Sequence, residues 1–254
     1  MSYESVEIGR LYQPIKQIAD SLVHQEREPF INLPGLRGYW PMSAVDFLGN
    51  AKDHSAGSSD LSGSGAPLFG YDGDSFVQCG VASDFLQGST SAQDVTGVET
   101  WIDPSIRGLT VGCWVKVDDT PGTVGGLVTI YGAAGQRSFA LFFNSSREVA
   151  FGVSGAGTVV VNVYSAAIVI GVWAFVVGRF TPSIEVAVFA NGVKSVVTAS
   201  VPANTFNSTN PFEVGRISNN DAQILEGKFR DVFICAAVLS DVQIENIRLS
   251  SMPH

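Results

Sequence analysis

The chain has 254 residues, with 24 acidic and 15 basic side chains and a formal net charge of -9 at pH 7. This negative charge disfavours binding to nucleic acid or to a membrane surface, because the basic residues are scattered singly along the sequence. Only 15% of the residues are charged, whereas 45% are hydrophobic and 27 are glycine, which is typical of short strands joined by tight turns. The first residues, MSYESVEIGR, contain two glutamates and no apolar run, so no secretory signal peptide is predicted.

Residues 1–34 are predicted to form an N-terminal arm, and residues 35–254 one main domain. Pro14 suits the first turn of a helix, and Pro29 is expected to follow its end. Between them, apolar residues recur at the spacing of an amphipathic helix: Ile15, Ile18, Ala19, Leu22 and Val23. A helix this short is marginal in isolation, so its apolar stripe needs a surface to cover it. Two alternatives follow: the helix packs on its own domain, or it docks on a partner.

After a loop rich in Gly, Ser and Asp at residues 49–70, strand-like runs continue to Ala236. The stretch GLTVGCWVKVDD at residues 108–119 alternates with a period of two, which is typical of a half-buried strand. Trp114 and Lys116 lie on one face of it. The opposite face carries Leu109, Val111, Cys113, Val115 and Val117.

The apolar segment VVVNVYSAAIVIGVWAFVVG, residues 159–178, has the length of a membrane span. Its β-branched residues and its interruptions at Asn162 and Gly171 favour two consecutive buried strands instead. The three cysteines lie among apolar neighbours and are interpreted as buried reduced thiols: Cys79, Cys113 and Cys235.

Two local motifs define the later part of the chain. Asn191-Gly192 supplies the residues of a type I′ turn in a hairpin. Ser240 and Gln243 form a capping box, with Leu239 and Ile244 as its hydrophobic staple, which predicts one short C-terminal helix.

Five segments together resemble the concanavalin A-like, laminin-G-like domains. They are LRGYWPMSAVDFLGNAKDHSAG, GYDGDSFVQCG, GLTVGCWVKV, VWAFVVGRF followed by VFANG, and EGKFRDVFICAAVLSDVQIENI, and they occur in the family's order over about residues 36–250. The resemblance implies an all-β fold, a two-sheet antiparallel jelly-roll sandwich, with the short helical arm before it and the short helix at its end. It also implies that the face of Leu109 and Val111 lies in the core between the sheets, while Trp114 and Lys116 point outward or under a covering loop.

Some enzymes of this fold display paired carboxylates on one strand, because retaining glycoside hydrolysis needs two carboxyl groups about 5 to 5.5 Å apart. The sequence contains no such strand. Asp72 and Asp74 straddle a glycine, and Asp118 and Asp119 lie at a strand end, so both pairs are interpreted as turn formers. The sequence therefore predicts a protein that is not an enzyme.

Many domains of this family bind sugars, often beside a calcium ion that fixes a loop. No cofactor is predicted, but Asp72 and Asp74 are the candidate calcium ligands, with Asn219-Asn220-Asp221 as another oxygen-rich cluster. Sugars stack on exposed aromatic rings. Trp101 is the candidate glycan-binding residue, because the other three tryptophans fall in strands that resemble the family's structural positions.

An acidic jelly roll without disulfides, preceded by a helical arm, is similar in layout to bacteriophage virion surface proteins. This resemblance implies a capsid decoration or head-surface protein, made in the host cytoplasm and exposed on the virion surface. Its arm is expected to dock on the major capsid protein or another virion protein, in a homo-oligomer, and its sandwich to adsorb to glycans. The alternative is a free carbohydrate-binding lectin-like module. A glycosidase would require two carboxylates facing each other across a groove.

Overall fold

The computed structural model describes residues 29–30, 32–42, 50–55, 60–71, 75–80, 84–88, 108–217 and 223–253. Within them, fifteen strands form two antiparallel sheets, and one helix, Asp241–Ser250, follows near the C-terminus. This architecture confirms the jelly-roll sandwich and the C-terminal helix that the sequence predicted. No helix in these ranges is long and apolar enough to cross a membrane.

The first sheet has eight strands in the order β13-β12-β11-β6-β15-β4-β3, with β1 paired to β15. Its strands are β1 (Leu36–Trp40), β3 (Leu68–Tyr71), β4 (Ser75–Cys79), β6 (Leu109–Val117), β11 (Trp173–Thr181), β12 (Glu185–Ala190), β13 (Val193–Val197) and β15 (Gly227–Cys235). β12 and β13 form the predicted hairpin, and Asn191 and Gly192 at its turn have positive φ values of 50° and 85°, as a type I′ turn requires.

The second sheet has seven strands in the order β10-β9-β8-β7-β14-β5-β2. Its strands are β2 (Ser62–Ser64), β5 (Phe85–Gln87), β7 (Val124–Tyr131), β8 (Arg137–Asn144), β9 (Glu148–Val153), β10 (Val161–Ala167) and β14 (Glu213–Val214). β10 and β11 are the two strands predicted within residues 159–178. Both sheets therefore end on the same side of the sandwich, where the edge strands β10 and β13 contact each other.

The main hydrophobic core lies between the sheets, where alternate side chains of facing strands interdigitate. All five core-facing residues predicted for the 109–117 strand belong to it. The sheets approach closely at Gly178 of β11, where a Cβ atom would lie 2.3 Å from the ring of Phe151 on β9. Glycine at this position leaves room for the phenyl ring of the opposite sheet.

A second hydrophobic core covers the outer face of the first sheet. The C-terminal helix contributes Ile244 and Ile247, and the sheet contributes Trp114, Phe175 and several smaller residues. Trp114 is only 3% exposed, so the face that carries it turns toward a packed helix and not toward solvent. The sequence placed Trp114 outward or under a loop; the cover is the helix, because its apolar stripe needs a partner surface.

Specific polar contacts attach this helix to the sheet. The predicted capping box is present, since Ser240 Oγ accepts from the backbone N–H of Gln243 and the Gln243 side chain accepts from the Ser240 N–H. Arg179 of β11 donates to the carbonyl oxygen of Leu239 at 2.9 Å and pairs with Asp241 and Glu185. Its guanidinium also lies 5.0 Å from the ring centroid of Phe189. These contacts fix the N-terminal end of the helix against β11.

The chain enters the described structure at Pro29 and Phe30, whose backbone is helical. The arm helix that the sequence predicted before Pro29 lies outside the described residues. Phe30 is fully buried and stacks on Tyr39 with ring centroids 4.3 Å apart. Phe30 belongs to the second core, so the chain enters on the outer side of the first sheet.

Candidate functional site

The outer face of the second sheet is the face that lies opposite the C-terminal helix. On β8 and β9 the side chains of Phe139, Leu141, Phe143, Val149 and Phe151 point into the main core. By strand alternation, the residues between them point outward, and Val163 sets the same alternation on β10. Five outward residues of these three strands form what we call the sheet patch: Phe142, Asn144, Glu148, Asn162 and Tyr164.

An aromatic pair occupies the centre of the sheet patch. Tyr164, Ala150 and Phe142 lie directly opposite one another on β10, β9 and β8. The small side chain of Ala150 lets the two rings meet above it, with centroids 6.5 Å apart and planes at 89°. Tyr164 is 46% exposed, which is high for an aromatic side chain on a strand. The pair therefore presents an apolar surface to solvent, with a phenolic hydroxyl at its end.

A carboxylate and an amide lie beside the aromatic pair. Asn144 Nδ2 donates a 2.8 Å hydrogen bond to Glu148 Oε2, and Asn144 Oδ1 accepts from the backbone N–H groups of Ser146 and Glu148. These bonds fix both side chains in the β8–β9 turn. A carboxylate has lone pairs for several donors, so Glu148 can accept hydroxyl groups of a ligand as well. The sheet patch thus combines an exposed ring with fixed polar groups.

A second carboxylate of the same outer face is held in an ion pair. Glu213 of β14 pairs with Arg216, and both side chains are buried. The guanidinium of Arg216 lies 3.5 Å from the ring centroid of Phe85. β8 and β7 separate Glu213 from Glu148 on β9, so at about 4.8 Å per strand the two residues are more than about 14 Å apart. That separation exceeds the roughly 5 to 9.5 Å that glycoside hydrolysis uses.

The candidate glycan-binding, calcium-binding and arm residues all lie outside the described part of the chain. They are Trp101, Asp72, Asp74, the cluster Asn219-Asn220-Asp221, and the arm residues Ile15, Ile18, Ala19, Leu22 and Val23. Their glycan-binding, calcium-binding and docking roles stay predictions. Trp40 is fully buried and stacks on Phe212 at 5.1 Å between ring centroids, so it has a structural role.

Asp118 and Asp119, which the sequence interpreted as turn formers, follow the end of β6 and make different hydrogen bonds. Asp118 Oδ2 accepts from the Gln78 side chain at 3.2 Å, and Asp119 Oδ1 accepts from the backbone N–H of Thr120 at 2.7 Å. Within the part of the chain that the structure describes, no group of three His, Cys, Asp or Glu side chains is placed to hold a metal ion.

The sheet patch was not predicted from the sequence. The signal was present in the strand VNVYSAA, where alternation places Tyr164 on the face opposite to Val163. The pairing of Tyr164 with Phe142, 22 residues earlier in the chain, depends on the order and register of three strands. A single sequence does not specify that register.

The two antiparallel sheets packed face to face define a jelly-roll sandwich of the concanavalin A-like class. Residues 87–245, more than half of the chain, match the family described as the Concanavalin A-like lectin/glucanases superfamily. The chain belongs to this family. No curated protein matches the sequence.

Solved structures share the fold at low sequence identity. The binding domain of botulinum neurotoxin DC in complex with rat synaptotagmin II has a TM-score of 0.66 at 11% identity, with 86% of this chain and 52% of that chain covered. The same toxin domain in complex with SialylT has a TM-score of 0.65 at 10% sequence identity, with the same coverage. A Trypanosoma rangeli sialidase in complex with 2,3-difluorosialic acid has a TM-score of 0.62 at 13% identity, with 93% of this chain and 39% of that chain covered.

This chain spans about half the length of the toxin domains and less of the sialidase. The structural neighbours thus include carbohydrate-binding and receptor-binding domains as well as an enzyme. At these identities the likeness shows the fold alone.

Proposed function

We propose that this chain is a non-enzymatic, lectin-like module that binds glycans on the sheet patch. The observation that carries the proposal is the exposed ring of Tyr164, held edge-to-face by Phe142 beside the fixed Asn144–Glu148 pair. The apolar face of a pyranose packs on such a ring, while its hydroxyl groups hydrogen-bond to carboxylate and amide groups. The sugar-bound neighbours of the same fold support the proposal by analogy.

The non-enzymatic part of the proposal rests on the carboxylates. Of the five residues of the sheet patch, only Glu148 carries a carboxylate, and Glu213 on the same face is ion-paired about three strands away. Hydrolysis by the two-carboxylate mechanism requires two carboxyl groups flanking one glycosidic bond. A ligand held on Tyr164 would meet a single carboxylate that acts as a hydrogen-bond acceptor.

A glycan array probed with the full chain tests this function. We expect the wild type to bind a subset of glycans and Tyr164→Ala to lose that binding. Leu68→Ala is the matched control, because Leu68 is 62% exposed on β3 at the far edge of the first sheet. Binding that is unchanged in Tyr164→Ala, or lost equally in Leu68→Ala, would contradict the proposed site. Release of reducing sugar from a bound glycan would contradict the non-enzymatic assignment.

We further propose that the module is displayed on a phage virion surface, as a capsid decoration or head-surface protein. The supporting observation is the arrangement of its two outer faces. The chain enters at Phe30 on the outer side of the first sheet, and the sheet patch lies on the outer face of the second. A domain anchored through residues preceding Phe30 would therefore turn its glycan-binding face away from the anchor.

In this proposal the arm stripe holds the domain on the major capsid protein or another virion protein, and the domain forms a homo-oligomer. Immunogold labelling of intact phage particles with an antibody against the sandwich tests the location. Gold on the head surface is expected, and gold confined to free protein in the lysate would contradict the proposal. Light scattering of the full chain tests assembly. We expect a defined oligomer, which the double substitution Ile18→Glu and Leu22→Glu converts to a folded monomer. An oligomer that the double substitution leaves intact would show that the arm does not hold the subunits together.

A further inference from the structure

A cleft of about 330 Å³ opens on the side of the sandwich where the edge strands β10 and β13 meet. It lies between the β9–β10 turn, residues 154–160, and the loop that follows β13. Its volume falls at the lower end of the range of small-molecule sites, about 300 to 1,000 Å³. Its lining includes Val153, Val159, Val161, Ser200, Pro202 and Asn204.

Backbone hydrogen bonds fix both walls of the cleft. The Phe206 N–H donates to the Ser154 carbonyl at 2.7 Å, and the Ser183 N–H donates to the Pro202 carbonyl at 2.9 Å. At Gly155 a Cβ atom would lie 2.8 Å from Pro202 Cβ, so glycine permits the close approach of the two walls. The site is therefore formed before any ligand arrives, which reduces the entropy cost of binding.

The lining chemistry selects a particular kind of ligand. Valine and proline side chains supply an apolar surface, and Val159 is 75% exposed, which is a large exposure for a β-branched residue. Asn204 supplies an amide that both donates and accepts, and Ser200 supplies a hydroxyl. None of the residues lining the cleft in the described part of the chain is charged. The complementary ligand is neutral, with a small apolar group next to an amide.

We propose that this cleft binds the N-acetyl group of an N-acetylhexosamine. The methyl group packs against Val159, Val161 and Pro202, and the acetamido N–H and carbonyl hydrogen-bond with the Asn204 amide. This inference rests on the proposed glycan binding and names the sugar substituent that the protein selects. Val161 in the cleft and Tyr164 in the sheet patch are three residues apart on β10, about 10 Å along the strand, so the two sites are separate.

Saturation-transfer NMR with N-acetylglucosamine and with glucose tests the cleft on the full chain. We expect the acetyl methyl protons to receive the strongest saturation and glucose to receive little. Val159→Ser should weaken N-acetylglucosamine binding about fourfold, the effect of about one buried methylene group. Val172→Ser is the matched control, because Val172 is 54% exposed beyond the opposite end of β10.

An acetyl methyl signal no stronger than the ring-proton signals, or one that Val159→Ser leaves unchanged, would contradict N-acetyl binding in the cleft. Tyr164→Ala distinguishes failure of the cleft proposal from failure of the sheet-patch proposal. If the cleft is the N-acetyl site, Tyr164→Ala weakens binding on the array but keeps the acetyl methyl saturation. A methyl signal that is lost in Tyr164→Ala but unchanged in Val159→Ser would assign the acetyl group to the sheet patch. That result would contradict the inference.

Discussion

The indole Nε1–H of Trp114 donates a 2.9 Å hydrogen bond to Ser251 Oγ, and this bond joins the middle of the first sheet to the end of the C-terminal helix. Ser251 Oγ in turn donates to the carbonyl oxygen of Ile247 at 2.7 Å. The helix is thus part of the fold, and it closes one outer face of the sandwich. The sheet patch lies on the other outer face.

Ser251→Ala tests this attachment. The substitution leaves the buried indole N–H without its acceptor, which costs about 1 to 3 kcal/mol of unfolding free energy. Urea unfolding followed by tryptophan fluorescence measures the loss. Ser250→Ala, one residue earlier on an exposed position, serves as the control and should change stability by less than about 0.5 kcal/mol. Equal effects of the two substitutions would mean that the Trp114–Ser251 bond does not hold the helix.

Gly178→Ala tests the close approach of the two sheets. Its Cβ would lie 2.3 Å from the Phe151 ring, which is fully buried and has little room to move. We expect a loss of about 1 to 3 kcal/mol from overpacking, measured by thermal and urea unfolding. In Gly122→Ala the new Cβ would meet no atom within 4 Å, so that variant should match the wild type. A Gly178→Ala protein as stable as the wild type would contradict the stacking of β11 on β9.

The Glu185 carboxylate makes part of the stability depend on pH. Burial by itself raises the pKa of Glu185, but hydrogen bonds from Arg179 and Lys194 and their positive charges outweigh burial and hold the pKa below its ordinary value. A lowered folded-state pKa means that the stabilisation is complete above the unfolded-state pKa, about 4.3, and is lost as the pH falls through the folded-state pKa.

Glu185→Gln should therefore be less stable than the wild type at pH 7, and the difference should shrink as the pH is lowered through the acidic range. Urea unfolding at a series of pH values measures both curves. Parallel curves for the two proteins would show that the ion pairs of Glu185 contribute no pH dependence.

The three cysteines are buried free thiols, and their reactivity reports on the integrity of both cores. Burial raises the pKa of Cys235 to about 12 and raises the pKa values of Cys79 and Cys113 further. The thiolate is the reactive form, so native protein at pH 8 should react with a thiol reagent only slowly. All three thiols should react once urea unfolds the chain. Rapid labelling of any cysteine in the native state would contradict its placement.

Sequence patterns predicted the elements that depend on local signals. Strand alternation placed Val111 and Cys113 on one face of their strand, the positive-φ pair Asn191-Gly192 defined the hairpin, and Ser240 with Gln243 defined the helix start. These features depend on residues a few positions apart. The cover over Trp114 was not predicted in full, because the helix that supplies it lies more than 120 residues later in the chain.

The candidate sites needed the same long-range information. Tyr164 meets Phe142 only because β9 lies between their strands in the sheet, and the cleft forms where a turn after β9 meets a loop after β13. The sequence singled out Trp101, which lies outside the described residues, and did not single out the exposed tyrosine on the edge strand β10.

The most direct test of glycan binding by the sheet patch is the dissociation constant of the strongest array ligand for the wild type, Tyr164→Phe and Tyr164→Ala, measured by calorimetry. Tyr164→Phe keeps the ring and should bind nearly as well as the wild type. Tyr164→Ala removes the stacking surface, worth about 1 to 1.5 kcal/mol, and should raise the dissociation constant about tenfold. An unchanged dissociation constant in Tyr164→Ala would show that the sheet patch is not the glycan-binding site.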